Sequence, residues 1–193
     1  MKYLQIFGKM RVLCTGRRLN MDAYECLISR RSYRSFTNKR VPHSCIEKIV
    51  YAGQCAPTGM DRQPLAFVVV EDTETMALLS KWNAQVMGVD TDPFYGAGQM
   101  IIVFADPSVP TYMNDGSLAM GNLLNAACAF GVNACWIHRA KEIFESEGGK
   151  KLKRKWNIPE NFEGIGHCIL GYSDQKLKEK KITSKVVWDP SCE

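Results

Sequence analysis

The stretch from Asp115 to Phe130 limits the fold more than any other part of the chain. It is rich in Leu, Ala and Met nearly all round a helical wheel, with Gly131 placed as its C-cap. A helix without a broad polar face must be covered, either by the core or by a partner chain. Four short apolar runs of strand type accompany it: Leu65–Val70, Met100–Phe104, Ala134–Ile137 and Ile165–Leu170. The first is so continuously apolar that it is predicted to lie centrally in a sheet.

The remaining segments alternate with these. Asp22 with Glu25 reads as a capping box for a helix running to about Ile28, where a basic run ends it. Ser44 with Glu47 reads as a second box. Ile46, Ile49 and Val50 give that helix its apolar face, and Gly53 and Pro57 break it. A helix is predicted from Thr73 to about Val86, and a loop over Gly88–Gly98. Asp106-Pro107 closes the second strand. Glu142–Trp156 reads as one helix weakened by Gly148-Gly149, with Lys150, Lys151, Lys153, Arg154 and Lys155 on a solvated face. A Lys-rich tail over 173–185 leads to Val186-Val187-Trp188. Mixed helices with few strands point to an α+β sandwich rather than a long βαβ array.

At 193 residues, 46% hydrophobic and 23% charged, the chain suits one domain with a sizeable core. No apolar run approaches the roughly 18–20 residues that cross a bilayer. The net charge of +5 is local. Residues 1–20 carry Lys2, Lys9, Arg11, Arg17 and Arg18 and no acid; taking those five from the chain's 25 leaves 20 basic residues against 20 acidic ones. A neutral body speaks against a nucleic-acid binder with a broad basic face. Residues 1–20 read as a short basic extension, a targeting segment being the lesser alternative, and the domain is expected over 21–193. Lys9 and Arg11 interrupt the apolar stretches and argue against a secretory signal.

The eight cysteines form no C-x-x-C pair, so buried thiols in a reducing cytoplasm are expected. Cys55 and Cys135 are placed to lie near a ligand, although packing is the commoner role. His43, His138 and His167 lack metal-ligand spacing, and His167, in an apolar strand, reads as structural. No G-x-G-x-x-G follows a strand, no Walker loop is present and no Ser-His-Asp set is apparent. Such a chain suits an enzyme whose cofactor performs the chemistry.

Two runs stand out. Arg30-Arg31-Ser32-Tyr33-Arg34 carries guanidinium forks and a hydroxyl that match phosphate oxygens, although by itself it could equally be a solvated turn. Pro57-Thr58-Gly59-Met60-Asp61-Arg62-Gln63-Pro64 is a tight loop able to present backbone N–H groups to a flat ligand, or simply a helix-to-strand turn.

Together these runs resemble the nitroreductase family of FMN oxidoreductases, over nearly all of 21–193. The resemblance implies a three-layer α+β sandwich: a central, mostly antiparallel sheet flanked by helices, with a C-terminal tail exchanged across a homodimer. It puts Arg30, Arg31, Ser32 and Arg34 on the FMN phosphate, ribityl chain and flavin. It lays Pro57, Thr58, Gly59, Asp61 and Gln63 against the flavin held mainly by the other subunit. Trp136, Ile137 and His138, following Gly131, would line one face of the ring. Asn83 would touch it, and Lys178 or Lys180, with Lys181 as an alternative, would reach the phosphate after the Gly171-Tyr172-Ser173 turn.

The chain departs from the family pattern in three places. Asp61 stands for the usual Asn, Leu65 for a common Trp, and His138-Arg139 for small or acidic residues. An ionised Asp61 accepts hydrogen bonds but cannot donate, and its charge would disfavour a negatively charged reduced flavin. The implied activity is transfer of electrons from NADH or NADPH to a nitro compound, quinone or other small acceptor in a ping-pong cycle. A dehalogenating or flavin-cleaving relative would be expected to add a lid, and only Gly88–Gly98 offers one. The alternative is a flavin-binding sensor or carrier without turnover.

Overall fold

The computed structural model describes residues 23–189. Its sheet has four strands, β1 Leu65–Val70, β2 Gln99–Ala105, β3 Asn133–Ile137 and β4 Glu163–Gly171, in the order β1-β2-β4-β3. All three pairings are antiparallel. β2 is buried along its whole length and β4 nearly so, which makes these two the central strands. The continuous apolar run of β1 did not place it centrally. It lies at the edge, with Leu65, Ala66 and Phe67 only half buried and Val69 exposed. Its apolar run serves both faces: Leu65 and Phe67 pack against one layer of helices, and Val68 and Val70 are buried in the other.

Among the described residues there are six α-helices, α1 Ala23–Ser29, α2 His43–Gln54, α3 Thr73–Met87, α4 Tyr112–Ala129, α5 Ala140–Glu145 and α6 Glu147–Lys155, and α1 packs on α4. On one face α2 and α4 pack Ile46, Ile49, Met120, Leu123 and Ala127 against Ile101, Val103 and Leu170. On the other, α3 and α5 pack Met76, Leu79, Ile143 and Phe144 against Met100, Ile102, Phe104 and Ile169. Each fully buried side chain of this kind contributes about 1.5–3 kcal/mol. This is the expected three-layer sandwich.

The helix boundaries moved where caps decided them. Asp22 lies outside the described residues. α2 starts after Pro42 without a side-chain cap, so the box read at Ser44 and Glu47 is not used. α3 is capped by Asp72, whose carboxylate accepts from the Thr75 N–H at 2.8 Å, and ends on left-handed Gly88. The helix read over Glu142–Trp156 is two. Ser146 turns extended (ψ 158°) and its hydroxyl accepts from the Gly149 N–H at 3.1 Å, which starts α6 afresh. Lys153 leaves the solvated face; it is buried and donates to the carbonyls of Glu160 (2.7 Å) and Phe162 (2.9 Å). Cys26, Cys55, Cys128, Cys135 and Cys168 are free thiols, whereas Cys45 is disulfide-bonded and departs from that expectation.

Candidate functional site

The Arg30 run begins where α1 stops. Arg31 folds back, its Nη1 donating to the carbonyls of Ile28 (2.8 Å) and Arg30 (2.9 Å). It satisfies carbonyls that the end of a helix leaves unpaired. The chain then extends along the free edge of β3. Ser32 bridges Ala134 in parallel, and the Tyr33 N–H donates to the Ala134 carbonyl at 3.2 Å. The Arg34 N–H donates to Gln175 Oε1 at 2.9 Å, and the Ser173 N–H to Asn133 Oδ1 at 2.8 Å, so the start of the tail lies beside the run.

Arg30 lines a cavity of about 280 Å³ with Arg31, Tyr33, Cys128, Val132 and Asn133. Its Nη1 is buried and has no hydrogen-bond partner. Leaving a charged donor unpaired is costly, and an anion in reach would relieve it. Ser32, Arg34 and Arg30 all act on one buried neighbour, Cys135. Burial pushes its thiol above the usual range, while a hydrogen bond to Ser32 and the charges of Arg34 and Arg30 pull the other way.

The second run forms a single 3-10 turn, Gly59–Asp61, between α2 and β1. Met60, Asp61 and Gln63 all adopt left-handed backbone, with φ of 55°, 53° and 48°. Such residues persist only where their surroundings hold them. The N–H groups of Gly59, Asp61, Arg62 and Gln63 are already bonded, to Asp115 Oδ1, the Thr58 and Gly59 carbonyls, and Thr58 Oγ1. The expectation of a row of N–H groups free for a ligand fails for these four. Gln63 Nε2 donates to Asp61 Oδ1 at 2.9 Å. Thr58 and Gln63 line a cavity of about 250 Å³ with Val50, Gln54, Leu65 and Phe67.

Alternation along β3 separates the third set. Trp136 faces the α2/α4 layer, and Ile137 is buried in the α3/α5 layer. Their side chains therefore point to opposite faces of the sheet. Exposed His138 stacks on Trp136 with ring centroids 5.3 Å apart. The indole N–H of Trp136 is buried without a partner. Asn83 is fully buried, and its Nδ2 donates to the His138 carbonyl at 2.8 Å, tying α3 to the end of β3. Lys178 and Lys180 are exposed, and among the described residues neither is ion-paired to a carboxylate. Beyond them Ile182, Val186, Val187 and Trp188 are 68–86% exposed.

The two runs occupy diagonal corners of the sheet. β1 and β3 are the outermost strands, ~14 Å apart at the usual strand spacing. The loop precedes Leu65, which is level with Ala105 and hence the start of β4, whereas the Arg30 run meets β3 at Ala134, beside the end of β4. α4 joins the corners: Asp115 near its start holds Gly59, and Cys128 near its end lines the Arg30 cavity. Residues 115 and 128 are separated by ~20 Å of helix.

The sequence profile described as the nitroreductase family matches residues 27–172. The chain belongs to the nitroreductase family. A protein of Methanothermobacter thermautotrophicus that carries the provisional name NADH dehydrogenase/NAD(P)H nitroreductase is 30% identical over 168 residues, covering 85% of this chain and 84% of its own length. A crystal structure of a nitroreductase with bound FMN from Bacteroides fragilis superposes with a TM-score of 0.80 at 24% identity, over 87% of this chain and 98% of that one. Iodotyrosine deiodinase 1 of Sus scrofa is 40% identical over only 57 residues, 30% of this chain and 20% of its own.

For a nitroreductase-family member, three contributors went unread in the sequence. In the sequence Asp115 reads only as the first residue of an apolar helix, yet it is a buried carboxylate bonded to the loop. Gln175 reaches the backbone of the Arg30 run from the tail. Gly166 faces Trp136 so closely that a Cβ there would come 2.1 Å from Nε1. A buried acid in an apolar pattern was the one legible signal among these.

Proposed function

We propose that the protein is an FMN-dependent oxidoreductase that passes electrons from NADH or NADPH to a nitro compound, quinone or related small acceptor, and that it works as a homodimer. The observation that carries this reading is the unpartnered, buried Nη1 of Arg30, which lines a cavity with Arg31 and Tyr33 in a run that also carries Ser32 and Arg34. Those groups fit a phosphate monoester: a charged fork, a hydroxyl and a second guanidinium. Arg30, Ser32 and Arg34 would hold the phosphate and ribityl end. The tail lysines Lys178 and Lys180 would close over it. Arg31, bonded to the end of α1, would set the direction of the run. When bound, FMN supplies the two-electron chemistry.

The diagonal placement of the two runs supports a second copy as the source of the missing half. Pro57, Thr58, Gly59, Asp61 and Gln63 of one copy would border the cofactor anchored at the Arg30 corner of the other. Trp136, with His138 stacked on it, would bound the ring on one side. Ile137 and Asn83 would act from behind, by packing and by fixing the His138 backbone. The exposed Ile182 and Val186–Trp188 support a tail that crosses to the second copy. Donor and acceptor would use the same open face in turn, which is a ping-pong order. Residues 21–193 would be the functional unit. Among the described residues no helix is long and apolar enough to cross a membrane. Among the described residues, five free thiols support a reducing, cytoplasmic setting, and the disulfide at Cys45 speaks against it.

The test is an absorbance spectrum of the purified protein, followed by NADH or NADPH under nitrogen and then a panel of nitroaromatics, quinones and a halotyrosine. The protein should be yellow, bleach with a nicotinamide and recover its colour with an acceptor. A yellow protein that neither nicotinamide bleaches would be a carrier or sensor. A colourless protein that takes up no added FMN would overturn the proposal.

A further inference from the structure

We propose that Asp115 is the positioning residue of the Thr58–Gln63 loop, and that this buried carboxylate sets the shape the loop presents at the cofactor. The inference rests on the reading that the loop borders FMN in the dimer. Asp115 is 2% exposed, in the first turn of α4. Oδ1 accepts the Gly59 N–H at 2.9 Å and Oδ2 accepts the Thr111 hydroxyl at 2.8 Å. Thr111 is the N-cap of α4, yet its side chain makes no cap bond; the hydroxyl is turned to the carboxylate instead. A negative group here is also favoured by the helix N-terminus.

The loop needs such a clamp. Met60, Asp61 and Gln63 are non-glycine residues in left-handed backbone. The bonds local to the loop, Asp61 N–H to the Thr58 carbonyl and Gln63 N–H to Thr58 Oγ1, close the turn on itself but do not attach it to the sheet layers. The Gly59–Asp115 bond makes that attachment at the turn's first residue. The fit is close: a Cβ on Gly59 would come 2.4 Å from Thr111 Oγ1. Glycine is needed there for the approach itself.

The test uses the full-length protein with its bound flavin. Tryptic cleavage of the exposed Arg62–Gln63 bond, followed by mass spectrometry, reports the loop without depending on catalysis. Flavin absorbance and FMN affinity report the site. Asp115→Ala should raise cleavage at Arg62 at least tenfold, shift the flavin absorbance band and weaken FMN about tenfold. Asp115→Asn should restore all three to within threefold of the parent, because its carbonyl oxygen still accepts from Gly59 and its amide can donate to Thr111. If Asp115→Ala does not fold, Gly59→Ala attacks the same contact from the loop and should reproduce its effects. Adding Thr111→Ala should then relieve them.

Unchanged cleavage at Arg62 in a folded Asp115→Ala or Gly59→Ala protein overturns the inference. Faster cleavage with an unaltered flavin band and affinity also overturns it, because the loop would then be clamped for stability alone; the FMN reading, resting on Arg30, would stand. A parent protein that takes up no FMN removes both, and Arg30→Ala then has nothing to change.

Discussion

The Arg30 corner and the Thr58–Gln63 corner are built on opposite principles. The first is an extended run laid along a strand edge, and the role proposed for it rests on side-chain charge. Its backbone needs little more than the bridge to Ala134 and the bond to Gln175. The second keeps most of its N–H groups for itself, in left-handed geometry, and rests on a buried acid from another element. Charge tolerates small displacements, because Coulomb attraction falls off slowly with distance. Shape does not, because a hydrogen bond weakens steeply with angle. The two corners should therefore fail differently when perturbed.

The largest expected effect would erase the contrast altogether, since both corners hang from one sheet. His167 lies fully buried in β4, between Phe94 and Phe144, with Nδ1 3.3 Å from the Ile137 carbonyl. Burial holds its pKa down at about 4, against an ordinary value of 6.5. The unfolded chain takes up a proton that the folded chain refuses. Stability is thus full above pH 6.5 and falls as the pH drops towards 4, by about 3 kcal/mol at most. Denaturant midpoints across that window should fall in the parent and stay flatter in His167→Asn. Equal slopes would show that other groups govern acid unfolding.

At the charged corner, Arg30→Ala should weaken FMN by about 1.5–3 kcal/mol, the range for hydrogen bonds to charged groups, with little change in melting temperature. FMN titration showing parent-like binding would remove the phosphate from this corner. A smaller effect, and a different one, is expected next door. Arg31 satisfies carbonyls at the end of α1. Arg31→Ala should lower stability by about 0.5–1.5 kcal/mol while changing FMN affinity less than Arg30→Ala. The reverse ranking would make Arg31 the phosphate ligand.

The smallest effect belongs to the shaped corner. Asp61 is exposed and accepts from the Gln63 amide. If the loop borders FMN as proposed, Asp61→Asn removes a negative charge beside the cofactor and should raise its midpoint potential slightly. A spectroelectrochemical titration giving an unchanged or lower potential would mean that this corner acts by shape alone. The dimer itself is checked by sedimentation: a stable, flavin-loaded monomer would contradict the composite site.

Local signals were enough for much of this protein. Apolar periodicity marked the four strands and α4, because burial selects residue type wherever a segment meets the core. The Arg30 run was visible because charge clusters are encoded in adjacent residues. What periodicity could not give was strand order: β1 and β2 read alike, yet one is an edge and the other central. Helix limits shifted where Pro42 and Ser146 outweighed the pattern. The residues missed, Asp115, Gln175 and Gly166, are far in sequence from what they hold. Only tertiary structure decided that an acid in α4 would meet a glycine 56 positions earlier. Such a pairing depends on how α4 crosses the sheet, and no local pattern of residues records that crossing.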